Sequence, residues 1–350
     1  MRYYLEYQPL MPKHIPWLDA ARIIAIFGVI LIHVCAPVFG DNRSNFYTMQ
    51  IANAFDSVSR VSVPLFALIS GTLVLQKEPS FVSIKNRIFR VAIPLLFWSF
   101  IYVLYVNYWN AFPFDFIKSM VSIFQTPAMY HLWFVYMIIG IYILLPILHP
   151  ISEKLLANRK LAYYFFTLWF LVNSLTIYFP FDFIRLIGLN DFMSWSGYFM
   201  LGHYLVYTKH IPKVSNKILL IVFLMASSFT FGLTLYFNTN FNPLNETAYI
   251  YFSPNVMIAT IAAFLWLKQI NLSNFYVKIA SYLSPLVFPV YFMHLLIIAI
   301  FSSGILGFSL DQFFIHPFIG ILLLSITVFI VSFIVAAIAS KIPFISKLIG

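Results

Sequence analysis

Apolar residues fall in long blocks along this chain, and each block is long enough to cross the ~30 Å hydrocarbon core of a bilayer as a helix. Ten such runs stand out, at 17–39, 51–76, 88–108, 129–150, 161–179, 193–208, 218–237, 253–268, 280–301 and 315–340. The pattern predicts an all-α polytopic membrane protein of about ten transmembrane helices, filling residues 1–350 as a single domain with no appended soluble domain. The first run is expected to be retained: it is too long for a signal peptide, has Arg22 near its start and lacks a small-residue cleavage site. No internal repeat is evident, which disfavours the duplicated architectures of many secondary transporters.

Composition agrees with this picture. Hydrophobic residues make up 62% and charged ones 9% of the chain, against roughly a quarter charged in soluble domains. The single cysteine, Cys35, cannot form an internal disulfide and reads as a buried small hydrophobe. A net charge of +10 raises the question of nucleic acid, but the location of the basic residues answers it. One set of alternate connections carries Arg2, Lys13, Lys77, Lys85, Arg87, Lys154, Arg159, Lys160, Lys209, Lys213, Lys217, Lys268, Lys278, Lys341 and Lys347. The other has Arg43, Lys118 and Arg185 set against Asp41, Asp115, Asp182, Asp191, Glu246 and Asp311. The positive-inside rule then places both termini in the cytoplasm, the basic excess is topological, and no nucleic-acid partner is expected. The outward connections are rich in Asn, Pro, Asp and aromatic residues, suited to capping a pocket or to sitting at the interface.

Ionisable groups inside the runs are costly and therefore informative. Arg22 and His33 are eleven positions apart in the first run, so they share a helix face ~16 Å apart along the axis. Asp56 and Arg60, four apart in the second run, are expected to pair. Counted from the inner end, His294 lies ~21 Å and His33 ~24 Å up, with His131 not far above. His33, Asp56, Arg60, His131 and His294 thus gather in the outer half, where they either line a cavity or serve as satisfied packing groups. His203 is nearer mid-depth, and His14, His149, His210 and His316 fall at interfaces or loops. On the inner side Lys85, Arg87 and Arg90 open the third run at a helix N-terminus, a place suited either to a phosphate or to topological anchoring. Neither the close His spacings of a metal site nor a P-loop nor a dinucleotide fingerprint is present, so no metal and no permanently bound cofactor are expected.

Five segments in order resemble the membrane acyltransferase-3 family, whose members modify cell-surface glycans. They are Arg22–x10–His33; Ser59-Arg-Val-Ser-Val-Pro-Leu-Phe-Ala-Leu-Ile-Ser-Gly71; Lys85-Asn-Arg-Ile-Phe-Arg90 followed by Pro94; Tyr130-His-Leu-Trp-Phe134; and Tyr291-Phe-Met-His294. The second and fourth look most like the enterobacterial common antigen O-acetyltransferase subgroup; Thr72 departs from the aromatic or larger residue that many members carry there. The resemblance implies a ten-helix, multi-pass enzyme of the bacterial cytoplasmic (inner) membrane. It takes an acyl group, usually acetyl from cytoplasmic acetyl-CoA as co-substrate, and delivers it to a hydroxyl of a cell-surface or lipid-linked glycan. It also implies that His33 is catalytic and that Arg22, Arg87 and Arg90 help hold the donor, with Lys85 beside them.

Chemically, a neutral imidazole at His33 could act as general base or accept the acyl group itself. Arg60, His131, Ser70 or His294 could stabilise the oxyanion, with Arg60 ranked first for its depth, and Asp56 could orient His33. The competing classes are a transporter or flippase of a lipid-linked glycan, using the same polar groups to bind it, and a non-catalytic partner in glycan assembly.

Overall fold

A computed structural model describes residues 15–110, 115–179, 189–240 and 245–350. Arg2, Lys13, His14, Asp182 and Arg185 lie outside the described residues. Among those described, helices and turns alternate with no strand, and nine helices or helix pairs are long and apolar enough to cross a membrane. We number the helices α1 Pro16–Cys35, α2 Phe46–Ser59, α3 Ser62–Val74, α4 Phe81–Asn110, α5 Phe116–Ser122, α6 Trp133–Ala157, α7 Arg159–Tyr178, α8 Leu189–Tyr207, α9 Asn216–Asn240, α10 Pro254–Lys268, α11 Asn274–Leu283, α12 Val287–Ser302, α13 Pro317–Ala339 and α14 Pro343–Ile349. The polytopic helical class expected from the apolar runs is the one observed.

Two runs differ from expectation. The sixth, 193–208, falls on α8, which is not one of the nine apolar spans. Every residue from 196 to 205 is buried, so this helix has protein on all sides and does not need the apolar surface that lipid demands. Its backbone also leaves helical geometry at Ser194, with φ −59° and ψ −105°. The second run is two helices, α2 and α3, separated at Arg60–Val61. Pro64 has no N–H to bond the carbonyl of Arg60 four residues earlier, which is where the helix breaks. Upstream, Asn45 starts α2 with a capping box: its side chain accepts from Thr48 N at 2.9 Å and its own N–H donates to Thr48 Oγ1 at 2.8 Å.

Helix α1 is the hub, packed against α2, α3, α10, α11, α12 and α13. The closest crossing is between α3 and α8. A Cβ on Gly71 would lie 2.0 Å from the Phe199 carbonyl oxygen, and one on Gly202 would lie 2.0 Å from that of Leu68. Two glycines facing across the same crossing let the backbones touch, which is how small residues tighten helix contacts in membranes. On the periphery the pattern inverts. Ile326, Ile330, Ile334 and Ile338 form an exposed stripe along α13 at four-residue spacing, while Ile321, Leu324, Val328 and Ala336 face the interior. At the end of the bundle where α1 finishes, Arg43 donates to Asp41 at 2.7 Å and to Asp311 at 2.6 Å and lies 4.2 Å over the Phe313 ring, tying the connection after α1 to the one before α13. Hydrogen bonds from Arg43 hold the Asp41 carboxyl below its ordinary range.

Candidate active site

His33 stands in the last turn of α1, His131 in the 3-10 turn Tyr130–Leu132 that leads into α6, and His294 in α12. Their matching depths, read from the sequence, correspond to direct contact. The His33 and His294 rings stack at 5.2 Å between centroids with 29° between planes. His131 lies edge-on to His294 at 5.2 Å and is 6.2 Å from His33. Tyr130 packs 5.2 Å from His33, and Tyr102 and Tyr291 pack 5.2 and 5.4 Å from His131.

Backbone contacts fix this cluster. The Tyr291 hydroxyl donates to the carbonyl of His131, joining α12 to the turn before α6. Tyr102 donates to the Phe292 carbonyl at 2.6 Å, joining α4 to α12. His294 Nδ1 is 2.6 Å from the Tyr291 carbonyl. A carbonyl can only accept, so Nδ1 carries the proton and the neutral ring presents Nε2 as a lone pair. That Nε2 has no hydrogen-bond partner among the described residues, and neither does either ring nitrogen of His131. Leaving a buried polar atom unpaired costs ~1–3 kcal/mol, a cost that a substrate can remove by supplying the partner. No three His, Cys, Asp or Glu among the described residues are placed to hold a metal ion.

Asp56 and Arg60 form the expected ion pair, at 2.6 Å, with Asp56 fully buried. Asp56 Oδ1 and Arg60 Nε have no partner among the described residues. The contacts of Asp56 run to Arg60, and no ion pair joins it to His33 within 4.0 Å, so it is not placed to orient that ring directly. The Arg60 guanidinium lies 4.2 Å over the Tyr249 ring, and Tyr249 in turn donates to Asn53 at 2.5 Å.

Two neighbouring spaces adjoin these groups. A narrow one of about 30 Å3 is lined by His33, His131, Tyr291, Val29, Val63 and Phe66. A wider one of about 480 Å3 is lined by Arg60, Trp195, Glu246, Tyr249 and Phe252. Trp133 and Tyr251 line both, so they are the shared boundary, or doorway, between a histidine cavity and a wider vestibule.

Toward the other end of α1, Arg22 donates to Ser284 at 3.2 Å and lies 3.5 Å from Asp19, and Ser284 donates to Asp19 at 2.7 Å. Tyr142 on α6 is within electrostatic reach of Arg87, Arg22 and Arg90, so the arginines of α1 and α4 gather on one region. Lys85 is exposed beside them, its Nζ 5.9 Å from the Phe89 ring. The other described histidines stand apart. His203 bonds Ser152 at 2.8 Å, His149 bonds the Leu75 carbonyl at 3.0 Å, and His316 caps α13.

A family model of the acyltransferase domain matches residues 15–337. That span holds the histidine cluster, the ion pair and the arginines. The chain belongs to the acyltransferase-3 family. Neither a curated protein nor a solved structure matches it. Membership makes the chain a membrane acyltransferase, in which an acyl donor and an acceptor must meet at one point. Sequence reasoning nominated the three histidines but missed the tyrosines that hold them. Tyr291 is three residues before His294 and shares its helix face, a signal that was present. Trp195 and Tyr251 come from α8 and from the connection before α10, and nothing local in the sequence links either of them to the histidines.

Proposed function

We propose that this acyltransferase moves an acetyl group from cytoplasmic acetyl-CoA to a hydroxyl of a cell-surface or lipid-linked glycan, in the bacterial inner membrane. The observation that carries the reading is the contact of His33 with His131 and His294 beside a small cavity that shares Trp133 and Tyr251 with a wider vestibule. Arg22 lies eleven residues back on the same helix, near the gathered arginines. The phosphates of CoA are suited to Arg87, Arg90, Arg22 and Lys85, since guanidinium forks match phosphate oxygens. The pantetheine arm spans the ~16 Å to His33, so only the thioester enters the cavity. The likeness of the Ser59–Gly71 and Tyr130–Phe134 segments to the enterobacterial common antigen subgroup makes that glycan the first acceptor to try.

Two chemical routes fit. In one, His33 takes the proton from the acceptor hydroxyl while its oxygen attacks the thioester carbonyl carbon; the C–S bond breaks and CoA leaves as a thiol after receiving that proton. In the other, the lone pair of a His33 ring nitrogen attacks the thioester carbonyl carbon first, the C–S bond breaks and CoA leaves as the thiolate; the hydroxyl oxygen then attacks the acyl-imidazole, the C–N bond breaks to free the ring, and the hydroxyl proton ends on the CoA sulfur. In both, His131, packed against His33 and His294, serves as the ring N–H donor to the developing oxyanion. Arg60 faces the vestibule and is within electrostatic reach of His33, so it acts on that charge from a distance.

The test uses protein in proteoliposomes with acetyl-labelled acetyl-CoA and a lipid-linked glycan extract. Wild type should move label from CoA to glycan, and His33→Ala should lose about 10²-fold or more of that rate with an unchanged size-exclusion profile. Full transfer by a folded His33→Ala protein would remove His33 from the reaction, and a wild type that never consumes the donor would remove acetyl-CoA.

A further inference from the structure

The two neighbouring spaces differ so much in size that they cannot serve the same part of an acceptor. At about 30 Å3 the histidine cavity holds little more than a hydroxyl or a water molecule. The vestibule, at about 480 Å3, is within the range of small-molecule sites. A sugar ring therefore has to stop at the doorway and send a single group inward.

The vestibule walls indicate how such a ring is held. Trp133 and Trp195 lie 5.3 Å apart with 42° between planes, and Tyr251 lies 5.8 Å from Trp195 and 6.1 Å from Trp133. Interfacial tryptophans and tyrosines normally turn toward lipid headgroups, but these three are half-buried and line a cavity. A pyranose has an apolar face of C–H bonds and a rim of hydroxyls, and the electron-rich face of an aromatic ring attracts those polarised C–H bonds. Charge narrows the choice further. The cation in the wall, Arg60, is bonded to Asp56 at 2.6 Å and covered by Tyr249 at 4.2 Å, and the wall also carries the carboxylate of Glu246. Among the described residues of the wall, no uncompensated positive charge is left to select an anion.

We propose that the vestibule is an acceptor subsite that binds an uncharged pyranose by its apolar face on Trp133, Trp195 and Tyr251, leaving one rim hydroxyl to pass the doorway to His33. This rests on the acyl-transfer reading for its orientation, but sugar binding can be measured without any transfer.

Isothermal titration of the full-length protein in detergent tests it directly, with maltotriose and tri-N-acetylchitotriose as uncharged probes and a galacturonic acid trimer as the charged one. Wild type should bind an uncharged trisaccharide more tightly than the uronate. Trp195→Ala should weaken that binding about tenfold, the size expected for one lost stacking face. If Trp195→Ala changes the size-exclusion profile, Trp195→Leu decides, because it fills space without supplying a π-face. A wild type that binds neither uncharged sugar, one that prefers the uronate, or a folded Trp195 variant with wild-type affinity would each overturn the proposal. Protein that binds sugar yet consumes no acetyl-CoA would contradict the acyl-transfer reading and leave the subsite standing.

Discussion

Asp56 spends one carboxylate oxygen on Arg60 and keeps the other unpartnered, fully buried, at the point where the second span breaks. Removing one member of such a pair strands a buried charge, at a cost of ~3–5 kcal/mol, whereas removing both costs much less. Arg60→Gln or Asp56→Asn alone should therefore lower Tm strongly, and the Arg60→Gln/Asp56→Asn double variant should recover most of the loss. Additive losses in the double variant would show that the pair is not coupled. The ion pair itself was legible as a four-residue spacing, and His33 with His294 as matched depth. The ring packing around them was not, because it depends on how α1, α4, α6 and α12 are arranged in space and not on spacing within any one of them. Tyr291 is the exception, with a face-sharing position that the spacing already contained.

At the scale of elements, the apolar runs located nearly every helix because lipid imposes one rule on all surface-facing segments. The rule fails where a helix does not face lipid. Helix α8 is buried at every position from 196 to 205, so its sequence is set by close packing and it carries Gly197, Gly202 and His203. The break between α2 and α3 was signalled by Pro64, yet hydropathy alone runs through it. The α3–α8 crossing gives the sharpest prediction at this scale. Gly71→Ala puts a methyl group 2.0 Å from the Phe199 carbonyl oxygen, a backbone atom that cannot swing away, and overpacking of this kind costs ~1–3 kcal/mol. Its Tm in detergent should fall well below that of Gly140→Ala, where nothing lies within 4 Å of the added carbon. Equal melting temperatures would mean that the crossing is looser than described.

Over the whole molecule, charge separates two chemical tasks. Lysines and arginines crowd the connections on the side of the termini, where Arg22, Arg87 and Arg90 gather near Tyr142. The opposite end carries the Asp41–Arg43–Asp311 tie and the aromatic vestibule. Helix α1 runs between them with Arg22 near one end and His33 near the other, so in the proposed reaction a thioester arriving from one side would meet a hydroxyl arriving from the other. The division of charge was legible in the sequence, as was an outward connection suited to capping a pocket; that Trp133 of α6 and Trp195 of α8 join the connection before α10 in one vestibule wall was not. The central claim is that donor and acceptor approach His33 from opposite sides of the membrane. The most direct measurement uses proteoliposomes of determined orientation, with acetyl-labelled acetyl-CoA confined to one side and the glycan acceptor to the other. Label should reach the acceptor only when the donor is on the side of the chain termini and the acceptor is across the membrane. Labelling that requires both on one side would contradict the account.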